Sequence, residues 1–227
     1  MQRFIFLYFL FGTLLQKMHA QQAGLGSWNI LNMKYTYNSH WSVFGEAQLR
    51  SLLFYDHFHY HEYKFGVQYH LHKQAALTLA GGSYQTYAEG GNFIVPKNND
   101  EFRIWPQIQS SQSFGRLKLE QRYRMEFRFT SNGYRNRFRY RFGLIFPFGK
   151  ELNDSRPLQF SFHNEIFFTD REPYFERNRV SCGLGWKLND LTMLQVGYLH
   201  QFDYRINDEL GRDFLQVGFY YDLKRSK

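Results

Sequence analysis

GRLKLEQRYRMEFRFTSNGYRNRFRYRFGLIFPFG, residues 115–149, decides the fold, because charged and apolar residues alternate through it with a period of two. Lys118, Glu120, Arg122, Arg124, Glu126 and Arg128 hold one parity, and Leu117, Leu119, Tyr123, Met125, Phe127 and Phe129 the other. Past residue 133, Arg135, Arg137, Arg139 and Arg141 alternate with Tyr134, Phe138, Tyr140, Phe142 and Leu144. Successive side chains of a strand point to opposite faces, so each run is a strand with one charged and one aromatic face. Asn132-Gly133 between them predicts a two-residue hairpin turn. Pairing Ser131 with Tyr134 sets Arg128 opposite Arg137, Glu126 opposite Arg139 and Arg124 opposite Arg141. A soluble β-sandwich would wet this charged face, whereas a barrel in lipid would enclose it, and the rest of the chain bears on the choice.

The same alternation recurs in eleven segments, at about 26–37, 41–53, 57–71, 75–88, 101–114, 116–130, 134–148, 157–169, 174–188, 191–205 and 212–224. Segments of about ten residues with this pattern are the signature of outer-membrane strands. The 227-residue chain carries a net charge of +8, with 25 Phe and 17 Tyr, a mixture that suits half-apolar strands better than a helical core. No apolar run beyond the N-terminus approaches the about 20 residues of a transmembrane helix. Met1 to Arg3, the apolar run Phe4 to Leu15 and then Ala20 predict a secretory signal over residues 1–20, leaving a single domain over 21–227. Cys182 is the sole cysteine, so an intramolecular disulfide is excluded.

These features predict an all-β fold, one antiparallel up-and-down transmembrane β-barrel located in the bacterial outer membrane. Antiparallel closure favours an even number, so twelve strands are expected, with ten as the next choice. Connections alternate in length: those near Asn38-Ser39, Lys73, Gly115 and Asn189-Asp190 are short, while 89–100, 170–173 and 206–211 are longer. Tyr and Trp near strand ends, among them Trp28, Trp41, Tyr87, Trp105, Tyr174 and Trp186, suit an interfacial girdle, with some of them luminal.

The last strand resembles the C-terminal recognition signal of bacterial outer-membrane barrels through Gln216, Gly218, Tyr221 and Leu223, which implies the barrel-assembly machinery as a partner. Arg103-Ile104-Trp105-Pro106-Gln107, the run Leu119 to Arg128 and the run Tyr134 to Arg141 resemble the bacterial outer-membrane family known as domain of unknown function 2490. The likeness spans most of the mature chain and is specific between about 100 and 148. It implies a signal-bearing barrel without an established activity. A more distant likeness in size and arginine-lined interior is to small channels for acidic oligosaccharides.

Inside a barrel, the hairpin from Lys118 to Arg141 presents eight cations and two carboxylates, Glu120 and Glu126, to the lumen. Like charges directly opposite destabilise a sheet, so anions must come from elsewhere. One source is structural: Glu101 and Glu165 on flanking strands, with Glu46, Glu62 and Asp203 across the lumen, form a salt-bridged plug. The other is a ligand, a small anionic solute held or passed by Arg122, Arg124, Arg128, Arg135, Arg137, Arg139, Arg141, Arg177 and Arg179. His57, His59 and His61 share a face by alternation and suit a polar rim rather than a metal site, and no metal or cofactor is expected. Ser161, His163 and Glu165 also share the luminal face, but i and i+2 neighbours sit about 7 Å apart, so a lipid hydrolase or acyltransferase is an alternative, after an anion-selective diffusion channel, to a non-enzymatic barrel with a structural or assembly role or passive binding of small anions. Export argues against nucleic acid as the partner of the basic charge.

Overall fold

The computed structural model describes residues 24–150, 156–204 and 210–224. The expected signal, residues 1–20, lies outside the described residues. Eleven strands form one closed sheet: β1 (Gly26–Thr36), β2 (Trp41–Leu53), β3 (Asp56–His72), β4 (Ala75–Ala88), β5 (Ile94–Phe114), β6 (Leu117–Thr130), β7 (Gly133–Phe148), β8 (Leu158–Thr169), β9 (Phe175–Lys187), β10 (Thr192–Asp203) and β11 (Leu210–Lys224). The alternating segments therefore locate every strand of the described residues. The boundary that moves most is that of β5, which starts at Ile94 because the β4–β5 hairpin continues through bulges around Tyr87, pairing Ala88 with Ile94 and Thr86 with Asn99.

The strand number corrects the expectation of twelve or ten. With eleven strands the first and last run in the same direction, and the sheet closes by a parallel seam from Gly26 against Phe214 to Thr36 against Lys224. All other neighbours are antiparallel. Closure needs only that no strand edge stays unpaired, and a parallel seam meets that condition as well as an antiparallel one. Loop length does not distinguish the two ends either. The 149–157 connection lies at the end expected to carry short turns, and the two-residue turns 54–55 and 131–132 lie at the other.

The hairpin register is a second correction. Thr130 pairs with Gly133, so the turn residues are Ser131 and Asn132. A type I′ turn on Asn132-Gly133 needs positive φ at both residues, but only Gly133 has it, at 102°. The Thr130 hydroxyl accepts from the Asn132 backbone N–H at 3.1 Å and donates to the Gly133 carbonyl at 2.8 Å, which holds the tighter arrangement. Every pair slides by two residues: Arg122 faces Arg141, Arg124 faces Arg139, Glu126 faces Arg137 and Arg128 faces Arg135. An even slide keeps each side chain on its face, so the arginines stay together.

The apolar parity points outward along the strands. Phe65 and Leu79 are 61% and 62% exposed, and Leu31, Ile108, Phe138, Phe160, Leu184 and Val196 are exposed in the same way. The charged parity points into the barrel, where Glu126, Arg137, Arg128 and Glu101 are buried. Two small aromatic clusters share that interior: Trp28, Leu199 and Phe214 beside the seam, and Tyr60, Ala80, Tyr84 and Trp105 on β3 to β5, with Phe44 packed against them. Phe44 lies across Gly66, where a Cβ would come within 2.5 Å of the ring. Pro106 has no N–H to give the β6 ladder, and pairing there skips from Ile104–Phe127 to Gln107–Arg124.

Candidate functional site

The interior contains a cavity of about 620 Å³ lined by residues from all eleven strands. Among the described residues, twelve Lys and Arg side chains line it against seven carboxylates, with Glu126 as an eighth carboxylate bound to the same arginines. Desolvated charges persist only when paired and hydrogen-bonded, and the pairing here is dense.

Glu126, fully buried, is the hub. Its carboxylate meets Arg139 at 2.5 Å, Arg124 at 3.4 Å, Arg137 at 3.5 Å and Arg103 at 3.6 Å. Glu165 on β8 accepts from Arg122 at 2.5 Å and Arg139 at 2.9 Å. Glu101 on β5 takes both Arg103, at 2.7 Å, and Arg128. Glu176 binds Arg137 and, at 3.5 Å, Arg128. The expected counter-charges Glu101, Glu126 and Glu165 therefore serve the hairpin arginines. Glu120 is set apart, bound to Lys118 at 2.8 Å. Glu46 and Glu62 do not reach across to the hairpin as expected; they pair with Lys64 and Arg50 on their own side. Asp203 pairs with Arg177.

Glu176 escaped the alternation because it is the extra residue of a bulge: Phe168 pairs with Phe175 and Phe167 with Arg177. A bulge also divides the histidines. Ser51 pairs with Phe58 and Arg50 with Tyr60, so His59 is buried beside Tyr60 and lines the cavity, whereas His61 packs with Tyr63, Tyr87 and Phe93. The shared face expected for His57, His59 and His61 is thus broken. Trp28 and Trp105, placed with the girdle candidates, are luminal and buried.

Guanidinium groups cover the interior rings. Arg50 lies 3.4 Å from the Trp28 centroid and 4.1 Å from that of Tyr60, Arg103 lies 3.7 Å from Tyr84, and Arg124 lies 4.9 Å from Trp105. Four guanidiniums surround buried Phe167: Arg139 at 4.6 Å, Arg179 at 4.8 Å, Arg137 at 5.6 Å and Arg177 at 5.8 Å. Such contacts stabilise a cation by about 0.5–2 kcal/mol, depending on desolvation. Arg50 and Arg103, absent from the sequence-based set, belong to the site. Their signal was present as polar residues of the inward parity on β2 and β5.

Not every cation is neutralised. Arg135 at the rim, Arg141 and Arg179 have no carboxylate within 4 Å among the described residues. Arg179 donates through Nε to Gln201 Oε1 at 2.8 Å. Arg50 and Arg179 both lie over Trp28, at 3.4 and 4.9 Å, which holds them within about 8.3 Å of each other. At an effective dielectric of about 20 that costs about 2 kcal/mol or more of repulsion. Buried polar atoms are left over as well: among the described residues, the donors Arg50 Nε, Arg122 Nε, Arg128 Nη1, the Tyr84 hydroxyl and Trp105 Nε1, and the acceptor Glu126 Oε2, have no hydrogen-bond partner.

Ser161, His163 and Glu165 share the interior but are not joined. Ser161 accepts from Gln195 Nε2 at 3.2 Å and Glu165 is held by two arginines, and no hydrogen bond links Ser161 to His163 or His163 to Glu165.

Fold and site together define a closed β-barrel protein with an ion-paired, arginine-rich interior. The chain belongs to the family described as "Protein of unknown function (DUF2490)", which matches residues 25–212. No curated protein and no solved structure matches it.

Proposed function

We propose that the chain is an exported outer-membrane barrel that uses its cationic, largely salt-bridged lumen to bind small anions. The observation that carries the proposal is, among the described residues, the excess of twelve cations over eight carboxylates around the cavity, with Arg141 and Arg179 left without a carboxylate within 4 Å. Membrane insertion is supported by the outward apolar parity, which in water would expose far more contiguous hydrocarbon than a soluble monomer carries. Exposed aromatics at both rims support it too, with Tyr37, Trp41 and Trp186 at one end and Tyr55, Tyr134 and Tyr174 at the other. In this proposal the signal is cleaved near Ala20, and Gln216, Gly218, Tyr221 and Leu223 on β11 present the strand to the assembly machinery. The barrel acts without a catalytic centre.

Cell fractionation and anion-dependent stability test this. The protein should leave the membrane only with detergent, show heat-modifiable gel mobility, and unfold at higher temperature in phosphate than in chloride of equal ionic strength. Release into the periplasm would remove the membrane assignment, and an unfolding temperature indifferent to the anion would remove the binding role. The 620 Å³ cavity also favours a second reading, a diffusion channel for small acidic solutes or oligosaccharides. That reading requires anion-selective conductance in planar bilayers that falls in Arg139→Gln and Arg141→Gln, and a closed record eliminates it.

A further inference from the structure

We infer that the luminal anion site is built on Arg179 and Arg50 beside Trp28, and that its ligand class is a compact oxyanion, a phosphate or sulfate group, rather than a ring-bearing solute. This deepens the anion-binding role proposed above and rests on it. Arg179, on β9, lines the cavity with no carboxylate within 4 Å among the described residues, and its bond to Gln201 occupies Nε, leaving the terminal Nη edge of the fork for a ligand. Such an edge matches two oxygens of a tetrahedral anion. Arg50, on β2, is 8% exposed, and its Nε is a buried donor without a partner, although Nη2 is bound to Glu62 and Gln48. The two guanidiniums are held within about 8.3 Å by their shared ring, a span that one oxyanion contacting both can bridge.

The aromatic side chains argue for the compact class. Sugars and bases are recognised by stacking on ring faces. Here Trp28, Tyr60, Tyr84, Trp105 and Phe167 each already have a guanidinium over the ring. Around Arg50 and Arg179, whose guanidiniums cover Trp28, Tyr60 and Phe167, what the site still offers is charge and N–H donors, which recognise oxygen atoms.

The test uses the full mature barrel folded in neutral detergent, titrated with inorganic phosphate at fixed ionic strength, with thermal unfolding as the readout. Wild type should show saturable stabilisation. Arg179→Gln should weaken the apparent phosphate affinity about tenfold or more, the loss expected for one charge-assisted contact, whereas Arg116→Gln, exposed and outside the cavity lining, changes it less than about twofold. A hexose phosphate should bind no more tightly than methyl phosphate, and tighter binding of the hexose ester overturns the ligand class. Anionic phospholipid added without phosphate should leave the midpoint unchanged; a shift equal to that of phosphate would assign the site to a headgroup and overturn the free oxyanion. Absence of any phosphate response in wild type defeats the anion-binding role itself. A wild-type response that survives in Arg179→Gln defeats only this placement. Should Arg179→Gln lose the heat-modifiable folded band, Arg50→Lys decides: it keeps the charge facing Glu62 but removes the Nε donor, and undiminished phosphate affinity in it overturns the site.

Discussion

Replacing Glu126 by Gln should be the most damaging single change of charge in the lumen. Its carboxylate is completely buried and meets four guanidiniums, from Arg103, Arg124, Arg137 and Arg139, between 2.5 and 3.6 Å. Removing one partner of a buried ion pair costs about 3–5 kcal/mol, because the remaining charge stays desolvated without compensation. Three of the four arginines keep other carboxylates, Arg139 through Glu165, Arg103 through Glu101 and Arg137 through Glu176, which prevents the four losses from adding. The expected destabilisation is therefore about 3–5 kcal/mol rather than a multiple of it. With a urea dependence of about 1–3 kcal/mol per molar, the unfolding midpoint drops by about 1–5 M. Heat-modifiable gel mobility across a urea series reads this directly on the barrel in detergent. Glu120→Gln is the internal comparison, since among the described residues Glu120 bonds only Lys118, whose side chain is 43% exposed, and the loss should stay below about 1 kcal/mol. Equal midpoints for Glu126→Gln and Glu120→Gln would refute the view that buried ion pairing organises the interior.

Leu79→Arg places a charge on the outer face at a residue 62% exposed, and should destabilise the barrel in phospholipid vesicles by about 2–4 kcal/mol if the site lies near mid-bilayer, measured by reversible urea unfolding. A soluble barrel would tolerate the same change within about 0.5 kcal/mol. Gly133→Ala should cost about 1–2 kcal/mol from its φ of 102°, while Asn132→Ala costs clearly less; comparable losses would restore a type I′ turn on Asn132-Gly133. His163→Ala should leave the folded band and the phosphate response unchanged, and lipid turnover by wild type that disappears in this variant would instead revive the Ser161, His163, Glu165 hydrolase.

Strand positions were legible because each strand separates one apolar from one polar face, and that separation is written residue by residue from Trp41 to Arg50 or from Val180 to Lys187. Closure was not, since no side-chain pattern records whether β1 meets β11 in parallel. The hairpin register slid by two because Asn-Gly serves both a type I′ turn and a turn ending in a left-handed glycine, and the face of Arg122 to Arg141 is the same in either. Where alternation failed, a bulge was responsible. Glu176 and His59 entered the lumen because each is the extra residue of a bulge, while His61 keeps the outward parity of Tyr63 and Phe65. The arginines were recognised, but their partners were only partly so: Glu101, Glu126 and Glu165 follow from parity, whereas the stacking of Arg50 on Trp28 and of Arg103 on Tyr84 depends on luminal aromatics that composition alone assigns equally well to a girdle.

The central claim, hydrocarbon outside and arginine inside, is tested most directly by the four natural tryptophans, since Trp41 and Trp186 are exposed on the outer face while Trp28 and Trp105 are buried in the lumen. Their fluorescence is compared in vesicles with ordinary and with brominated acyl chains. Wild type should be quenched by the brominated chains, and the Trp41→Phe, Trp186→Phe double variant, which keeps only the luminal pair, should be nearly unaffected. Equal quenching of the two proteins, or a barrel that stays in the aqueous fraction, would contradict it.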